Sequence, residues 1–137
     1  MSNKQKGDMF EIKAKEIMQN FLGCELEEQY KVDIGFSVQK THKYDFGNEK
    51  FVIECKSYSW TEGNDIPSAK LSHLKEVIFY FSLTPNSYKK ILVLNKSIRN
   101  RDEKSLGTYF VEINRAFILE NVEIYEIENS KLEKIYL

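Results

Sequence analysis

The sequence predicts an α/β fold in which a central mixed β-sheet is flanked by helices. Two observations favour it: apolar stripes at helical spacing, and short apolar or alternating segments of strand length that lie between them. At 137 residues and 42% hydrophobic content, the chain is long enough for one compact core and too short for two ordinary domains. We therefore expect a single domain over residues 1–137.

Three segments have the apolar periodicity of amphipathic helices. The first runs from residue 8 to about residue 22, and Gly23 follows it in a position that favours the left-handed conformation. Pro67 begins the second, which ends before Pro85. The third covers residues 105–119.

The predicted strands cover residues 29–38, 42–46, 51–56, 90–95 and 122–127. The second and third of these predict a hairpin, because Gly47-Asn48-Glu49-Lys50 has the composition of a turn. Residues 90–95 form a continuous apolar run, which is typical of a strand covered on both faces. Residues 122–127 alternate and form the last predicted strand.

The strand at residues 51–56 ends in a Glu-x-Lys motif. Side-chain alternation places Val52, Glu54 and Lys56 on one face. A turn centred on Asn48-Glu49 would put Asp45 opposite Val52 and diagonal to Glu54, at about 7 Å. Two carboxylates at this distance can share a divalent cation, and a neighbouring lysine can act on water. A metal-dependent nuclease is the first hypothesis that these residues raise.

This order of residues resembles the motif of the PD-(D/E)XK nuclease superfamily, which has the restriction-endonuclease-like fold. Asp45, Glu54 and Lys56 match the motif, while Tyr44 stands where its name has proline. Residues 7–11 are similar to the helical segment in which such nucleases often carry a glutamate near the metal. Residues 57–70 are similar to small bacterial members, so that the resemblance spans residues 7–81.

The resemblance implies a DNA endonuclease that hydrolyses phosphodiester bonds, with Asp45, Glu54, Lys56 and Glu11 as catalytic residues. Mg²⁺ or Mn²⁺ would be held by the three carboxylates and by the backbone carbonyl of Cys55. Lys56 would position or help deprotonate the attacking water and stabilise the developing charge. We expect no small-molecule cofactor. Double-strand cleavage by one site per chain would imply a homodimer.

The predicted DNA contacts come from helix position and from charge. Ser68 and Lys70 lie in the first turn of the second helix, where backbone amides attract phosphate. The other predicted contacts are basic residues: Lys43, Lys96, Arg99 and Arg101. The last three belong to a basic segment between residues 89 and 104. Because the net charge is −1, there is no general basic field, and a solvated charged loop is the alternative for this segment.

Glu11 and Asp45 also have purely structural interpretations. Asp8 could cap the first helix while Glu11 returns the bond, or Glu11 could pair with Lys15 one turn later. Asp45 could bond to the backbone of the turn that follows it. The positions of Glu54 and Lys56 favour metal binding for Asp45. For Glu11, helix capping and metal binding both remain open.

The other candidates have structural interpretations of the same kind. Glu54 and Lys56 could form an exposed pair on the sheet, although the apolar residues around them favour burial. The side chain of Cys55 is expected in the core. Tyr58 and Trp60 could stack on a base or sugar, but packing within the protein is favoured.

Two other classes of function remain open at this stage. One is a non-catalytic nucleic-acid-binding module that retains the nuclease fold, and the intact motif counts against it. The other is a protein-interaction domain, such as an immunity or regulatory subunit, which the nearly neutral charge permits.

Composition also predicts the compartment. Cys24 and Cys55 lack the spacing of metal ligands or of a disulfide framework, which suits a reducing cytosol. The sequence has neither a signal peptide nor 18 consecutive apolar residues, so we expect no membrane span and a cytoplasmic location.

Overall fold

The structure is a computed structural model that describes residues 1–63 and 65–136. Its three α-helices are α1 (Asn3–Leu22), α2 (Ser68–Leu83) and α3 (Leu106–Asn114). Its strands are β1 (Glu27–Ile34), β2 (Lys40–Gly47), β3 (Phe51–Lys56), β4 (Lys89–Asn95), β5 (Val122–Glu128) and β6 (Lys131–Tyr136). In the described part of the chain, no helix is both long enough and apolar enough to cross a membrane.

The six strands form one mixed sheet in the order β1-β2-β3-β4-β5-β6. β1, β2 and β3 are antiparallel neighbours, β3, β4 and β5 are parallel, and β6 is antiparallel to β5. The parallel neighbours are connected through α2 and α3, as parallel pairs require a crossover. The predicted α/β class with a mixed, helix-flanked sheet is confirmed.

Helices cover both faces of the sheet. On one face, α1 buries Phe10, Ala14 and Met18 against a core that includes Ile53 and Cys55. On the other face, α2 and α3 pack on a core that includes Val52, Leu92 and Ile124. Alternate residues of β3 therefore point to opposite faces, as the sequence predicts.

The first helix begins five residues earlier than predicted. Ser2 is its N-cap: the Gln5 backbone N–H donates to the Ser2 hydroxyl (3.1 Å), and the Ser2 N–H donates to the Gln5 side chain (2.8 Å). Asp8 and Glu11 consequently lie inside the helix. The alternative in which these two residues form the capping box is wrong.

The third helix is shorter than predicted. It begins after Ser105, as expected, but it ends at Asn114, and a 3₁₀ turn (Arg115–Phe117) follows. The side-chain amide of Asn114 donates to the Phe110 carbonyl (3.0 Å). Such a local bond competes with the helical pattern and accompanies the change of geometry.

β6 is an element that the sequence analysis did not predict. It pairs with β5 through a tight turn in which Asn129 and Ser130 have φ angles of 50° and 66°. Two consecutive left-handed residues are typical of a type I′ hairpin turn. The signal was an Asn-Ser pair between two segments of strand length.

The first strand ends earlier than predicted, at a hairpin loop formed by residues 35–39. Gly35 has a φ of 129°, and a Cβ at this position would overlap the Val38 carbonyl. Glycine is therefore required here. Phe36 and Val38 protrude from the loop, each with 82% of its surface exposed.

Candidate active site

The turn between β2 and β3 is organised by Asn48. Its side-chain oxygen accepts hydrogen bonds from the backbone N–H groups of Lys50 (2.8 Å) and Phe51 (3.0 Å). This is the kind of local bond that we considered for Asp45. Because Asn48 makes it, Asp45 is not needed for the turn.

The register of the hairpin differs from the predicted one. Phe46 pairs with Ile53, and extending this pairing by one residue places Asp45 directly opposite Glu54. The predicted pairing of Asp45 with Val52 is wrong, because the turn is centred one residue later than Asn48-Glu49. The observed register brings the two carboxylate-bearing residues closer than the diagonal arrangement would.

Beside Asp45 and Glu54, side-chain hydrogen bonds replace the backbone hydrogen bonds between β2 and β3. The Asp45 N–H donates to Oε1 of Glu54 (3.0 Å), and the Cys55 N–H donates to Oδ2 of Asp45 (2.8 Å). The two carboxylates therefore fill the gap where the strands separate. Each uses one oxygen for an amide and has a second oxygen that can bind a cation.

These two carboxylates are largely removed from solvent, and the charge of Asp45 disfavours ionisation of Glu54. Glu54 is only 8% exposed. Burial, followed by the charge of Asp45, raises the pKa of Glu54 to about 8, and Lys56 opposes this shift. Burial also raises the pKa of Asp45, although the Cys55 amide and Lys56 lower it. A cation bound between them would offset this cost, since it favours the ionised forms.

α1 adds a third carboxylate to this cluster. Burial, followed by the charge of Asp45, raises the pKa of Glu11 to about 7. Lys15, the alternative partner of Glu11, instead contacts Glu28 at 3.4 Å. Neither structural alternative for Glu11 is observed, and its carboxylate belongs to the same electrostatic environment as Asp45.

The donor set suits a hard divalent cation, because carboxylate and carbonyl oxygens are the ligands that Mg²⁺ and Mn²⁺ prefer. Within residues 1–63 and 65–136, no group of three or more His, Cys, Asp and Glu side chains is arranged to hold a metal ion. A site here would therefore rest on Asp45 and Glu54, completed by Glu11, by water or by the Cys55 carbonyl. The geometry of that carbonyl as a ligand stays a prediction.

The neighbouring side chains divide between the core and the site. The Cys55 thiol lies in the core under α1, where burial raises its pKa. Trp60 is also buried, and its indole N–H donates to the Lys104 carbonyl (3.1 Å). Packing within the protein is thus confirmed for Trp60. Tyr58 is half-buried, with its hydroxyl 3.3 Å from Nδ1 of His73.

A polar cleft of about 420 Å³ lies next to the motif, at the carboxyl ends of β3 and β4. Its lining includes Lys6, Ser57, Ser59, Lys70 and Asn95, and none of the described residues that line it is acidic. Ligands of open α/β sheets commonly bind at this end of the strands. Of the two predicted contacts on α2, Lys70 reaches the cleft, whereas Ser68 is exposed at the first position of the helix.

Lys6 is a cleft residue that the sequence analysis missed. It was placed before the first helix, in the segment from residue 1 to residue 7. With the helix beginning at Asn3, Lys6 lies one turn before Phe10, which also lines the cleft. The Ser2 capping box was the signal that could have identified it.

Arg99, a predicted DNA contact, is committed to contacts within the protein. Only 5% of it is exposed, and its guanidinium donates two hydrogen bonds to Asp102, at 2.9 and 2.8 Å. The guanidinium also lies 4.3 Å from the centre of the Trp60 ring. It connects the loop after β3 to the loop after β4, and its role as a DNA contact stays a prediction.

The remainder of the basic segment is largely neutralised. Lys96 lies 3.6 Å from Glu133, and Lys104 lies 2.7 Å from Glu112. Arg101 is exposed and has no ion pair in the part of the chain that the structure describes. Ion pairing favours the solvated-loop alternative for most of this segment.

Comparison of the chain with protein-family models, with curated proteins and with solved structures finds no match. The functional inference therefore rests on the arrangement of Asp45, Glu54, Lys56 and Glu11.

Proposed function

We propose that this protein is a metal-dependent DNA endonuclease with a restriction-endonuclease-like fold. One observation carries the proposal: Asp45 and Glu54 lie opposite each other where β2 and β3 separate, and both are desolvated. Lys56 follows on β3, and Glu11 reaches the same cluster from α1. Desolvated carboxylates with raised pKa values are typical of functional sites, and here the charge of Asp45 adds to burial in raising the pKa of both Glu54 and Glu11.

The residues divide the chemistry as follows. Asp45 and Glu54 would hold Mg²⁺ or Mn²⁺, with Glu11 and the Cys55 carbonyl as additional ligands. When bound, such a cation lowers the pKa of water and offsets negative charge on phosphate. Lys56 would orient the water that attacks phosphorus and would stabilise the charge that develops on the phosphoryl oxygens.

The cleft beside the motif supports a phosphate-bearing substrate. Lys6 and Lys70 enter it from the first turns of two helices, and Ser57 and Ser59 provide hydroxyl groups. Ammonium and hydroxyl groups are common ligands of the DNA backbone. A strand in this cleft would pass next to Lys56, with a phosphodiester close to the carboxylates.

The proposal is tested by incubating the protein with supercoiled, linear, single-stranded and branched DNA, in Mg²⁺, Mn²⁺ or EDTA. We expect cleavage with either metal and none in EDTA or after Asp45→Ala. Glu120→Ala, which removes an exposed carboxylate outside the cluster, is the matched control and should cleave normally. Absence of cleavage of all four DNA forms in both metals would contradict the proposal.

A second candidate is a protein-interaction module. A groove of about 390 Å³ between α2 and α3 is lined by Ile78, Phe79, Phe110 and Phe117, and both Phe79 and Phe117 are largely exposed. Exposed apolar surface of this kind marks interaction sites. Thermal unfolding separates the two candidates: Mn²⁺ should stabilise the wild type but not Asp45→Ala, whereas an interaction module would respond to neither.

The proposal also predicts the oligomeric state. A protein with one site per chain must act as a homodimer to cut both strands of a duplex in one encounter. Light scattering of the protein on DNA would test this, and a monomer that makes concerted double-strand breaks would contradict it.

A further inference from the structure

The hairpin formed by β1 and β2 extends past the candidate active site, and we call residues 31–43 the arm. β2 is antiparallel to β3, so its first residues lie at the same end of the sheet as the carboxyl end of β3. From Asp45 back to Lys40 the strand covers about 17 Å. β1 is an edge strand, which leaves the arm accessible along one side.

The arm carries two lysines in an arrangement that is unfavourable without an anion. Lys31 and Lys43 are directly opposite each other in the β1–β2 pairing, and both are exposed. Like charges at such positions destabilise an antiparallel pair. Neither lysine has an ion pair among the described residues. Asp33, two residues after Lys31 on the same strand, accepts a hydrogen bond from the Thr41 hydroxyl (2.8 Å).

The lysine pair lies on the side of the sheet that carries α1. Val32 and Tyr44 bury in the core under α2, so their neighbours Lys31 and Lys43 point to the opposite face. Lys43 precedes Asp45 by two residues, or about 7 Å along the strand. Since each DNA strand carries one charge per about 3.4 Å of helix axis, this distance corresponds to about two nucleotides.

The end of the arm is apolar. Phe36 and Val38 are its exposed large apolar side chains, and Gly35 allows the tight loop that presents them. Proteins that bend DNA insert apolar side chains of this kind between base steps from the minor groove, while basic groups hold the adjacent backbone. The arm combines both elements at one end of the sheet.

We propose that the arm is a second DNA-binding element that grips the duplex beside the site of cleavage. Lys31 and Lys43 bind backbone phosphates about two nucleotides from the scissile phosphate, and Phe36 and Val38 insert between base pairs. The inference rests on the proposed function in that it takes DNA as the ligand. It adds a substrate preference: mismatched or nicked duplexes are bound more tightly than intact ones, because unstacking costs least there.

The lysine pair is tested by the salt dependence of binding to a labelled duplex, measured by fluorescence anisotropy in EDTA. Lys31→Gln with Lys43→Gln should reduce the slope of log affinity against log salt by about two. The control is Lys50→Gln with Lys131→Gln, which removes two exposed lysines outside the arm and should leave the slope unchanged. An equal slope in the arm variant and the wild type would overturn the proposal.

The apolar tip is tested by comparing an intact duplex with one that contains a mismatch. Wild-type protein should prefer the mismatched duplex, and Phe36→Ser with Val38→Ser should lose this preference while keeping the salt slope. Both residues lie on an exposed loop, so the variant should fold, which circular dichroism checks. If the variant instead converts a dimer to a monomer and binds both duplexes as the wild type does, the tip is a contact between two copies and the proposal is wrong.

Binding in EDTA needs neither metal nor cleavage, so the two proposals can fail separately. If the protein cleaves no DNA but the arm variant has a reduced salt slope, the arm proposal is supported and the nuclease proposal is rejected. If the protein cleaves DNA but the arm variant has the salt slope of the wild type, the arm proposal is rejected and the nuclease proposal is supported.

Discussion

Glu54 and Glu126 are two buried glutamates on the same face of the sheet, near the carboxyl ends of β3 and β5. They are 8% and 1% exposed, and burial is the main cause that raises the pKa of each. Glu54 lies opposite a second carboxylate, Asp45. Glu126 lies next to Ser105 and Gly107, at the start of α3.

Glu126 is packed against the start of α3, at the edge of a cavity of about 270 Å³ that it lines together with Lys96 and Ser105. A Cβ at Gly107 would lie 2.5 Å from Oε2 of Glu126, so the carboxylate is packed directly against the helix. Ser105 and the Gly107 amide partly compensate its charge, as the positive end of a helix does. At Glu54, by contrast, the second carboxylate adds repulsion. Burial is thus common to both glutamates, and the adjacent second carboxylate is what distinguishes Glu54 as the candidate cation ligand.

The largest expected effect is on catalysis, and it concerns Lys56. Lys56→Ala should lower the single-turnover cleavage rate by a factor on the order of 10² or more, because it removes a charged group that acts in the transition state. Mn²⁺ binding, measured by calorimetry, should persist. Asp45→Ala should lose both, while Glu126→Gln should lose neither. A Lys56→Ala protein that cleaves at the wild-type rate would show that the motif is structural.

The second prediction concerns the stability of the metal-free protein as a function of pH. The pKa of Glu54 is raised from 4.5 to about 8, so the unfolded chain releases this proton first as the pH rises. The stability that Glu54 contributes should therefore be fully present below about pH 4.5 and be lost between about pH 4.5 and pH 8. Glu54→Gln should remove much of this dependence and stabilise the protein at pH 8 by on the order of a few kcal/mol.

Urea denaturation at pH 5 and pH 8 measures this effect. Mn²⁺ should restore stability at pH 8 in the wild type, since it favours the ionised carboxylates, and should do so far less in Glu54→Gln. A wild type that is more stable at pH 8 than at pH 5 without metal, and that loses this gain in Glu54→Gln, would reverse the predicted sign.

A smaller effect is expected at Glu126. Its pKa is also raised, so the charged form is disfavoured in the folded protein at neutral pH. Glu126→Gln should stabilise the protein by about 1 kcal/mol, the lower end of the range for a poorly paired buried polar group. The change should be the same with and without Mn²⁺. A Mn²⁺-dependent change would mean that Glu126 belongs to the metal site.

The smallest effect is the coupling between the two glutamates. They lie on strands separated by β4 and are offset by two residues along the strands, so their backbones are about 12 Å apart. The stability changes of Glu54→Gln and Glu126→Gln should add within about 0.5 kcal/mol in a double-mutant cycle. Glu54→Gln and Asp45→Asn should instead couple strongly. A Glu54–Glu126 coupling energy as large as the Glu54–Asp45 coupling energy would contradict the assignment of different roles to the two glutamates.

The local part of the site could be predicted from the sequence, because order and alternation place Glu54 and Lys56 on one face of a strand. The register could not, since it depends on which side chain organises the turn. Asn48 bonds to two amides there, and the turn is centred one residue later than predicted, which moves the partner of Asp45 from Val52 to Glu54. Likewise, the Ser2 capping box could have been recognised, and with it the interior position of Glu11.

The predicted DNA contacts stay predictions, but the partners of two of them within the protein could not be predicted from the sequence. The environment of Arg99 is set by Trp60, and that of Lys96 by Glu133, both far away along the chain. Local charge counts cannot detect such partners. β6, in contrast, had a local signal in Asn129 and Ser130 that was readable from the sequence.

The carboxylates that close the gap between β2 and β3 are also the groups that would bind the cation. Local opening of this part of the sheet is therefore linked to the charge of the site. When either carboxylate moves away, the amide proton of Asp45 or Cys55 can exchange with solvent. An Asp45→Asn side chain retains an oxygen that can accept the Cys55 N–H. The hairpin can thus keep its backbone conformation after the charge of Asp45 is removed. An inactive Asp45→Asn variant and the active protein would then have the same backbone.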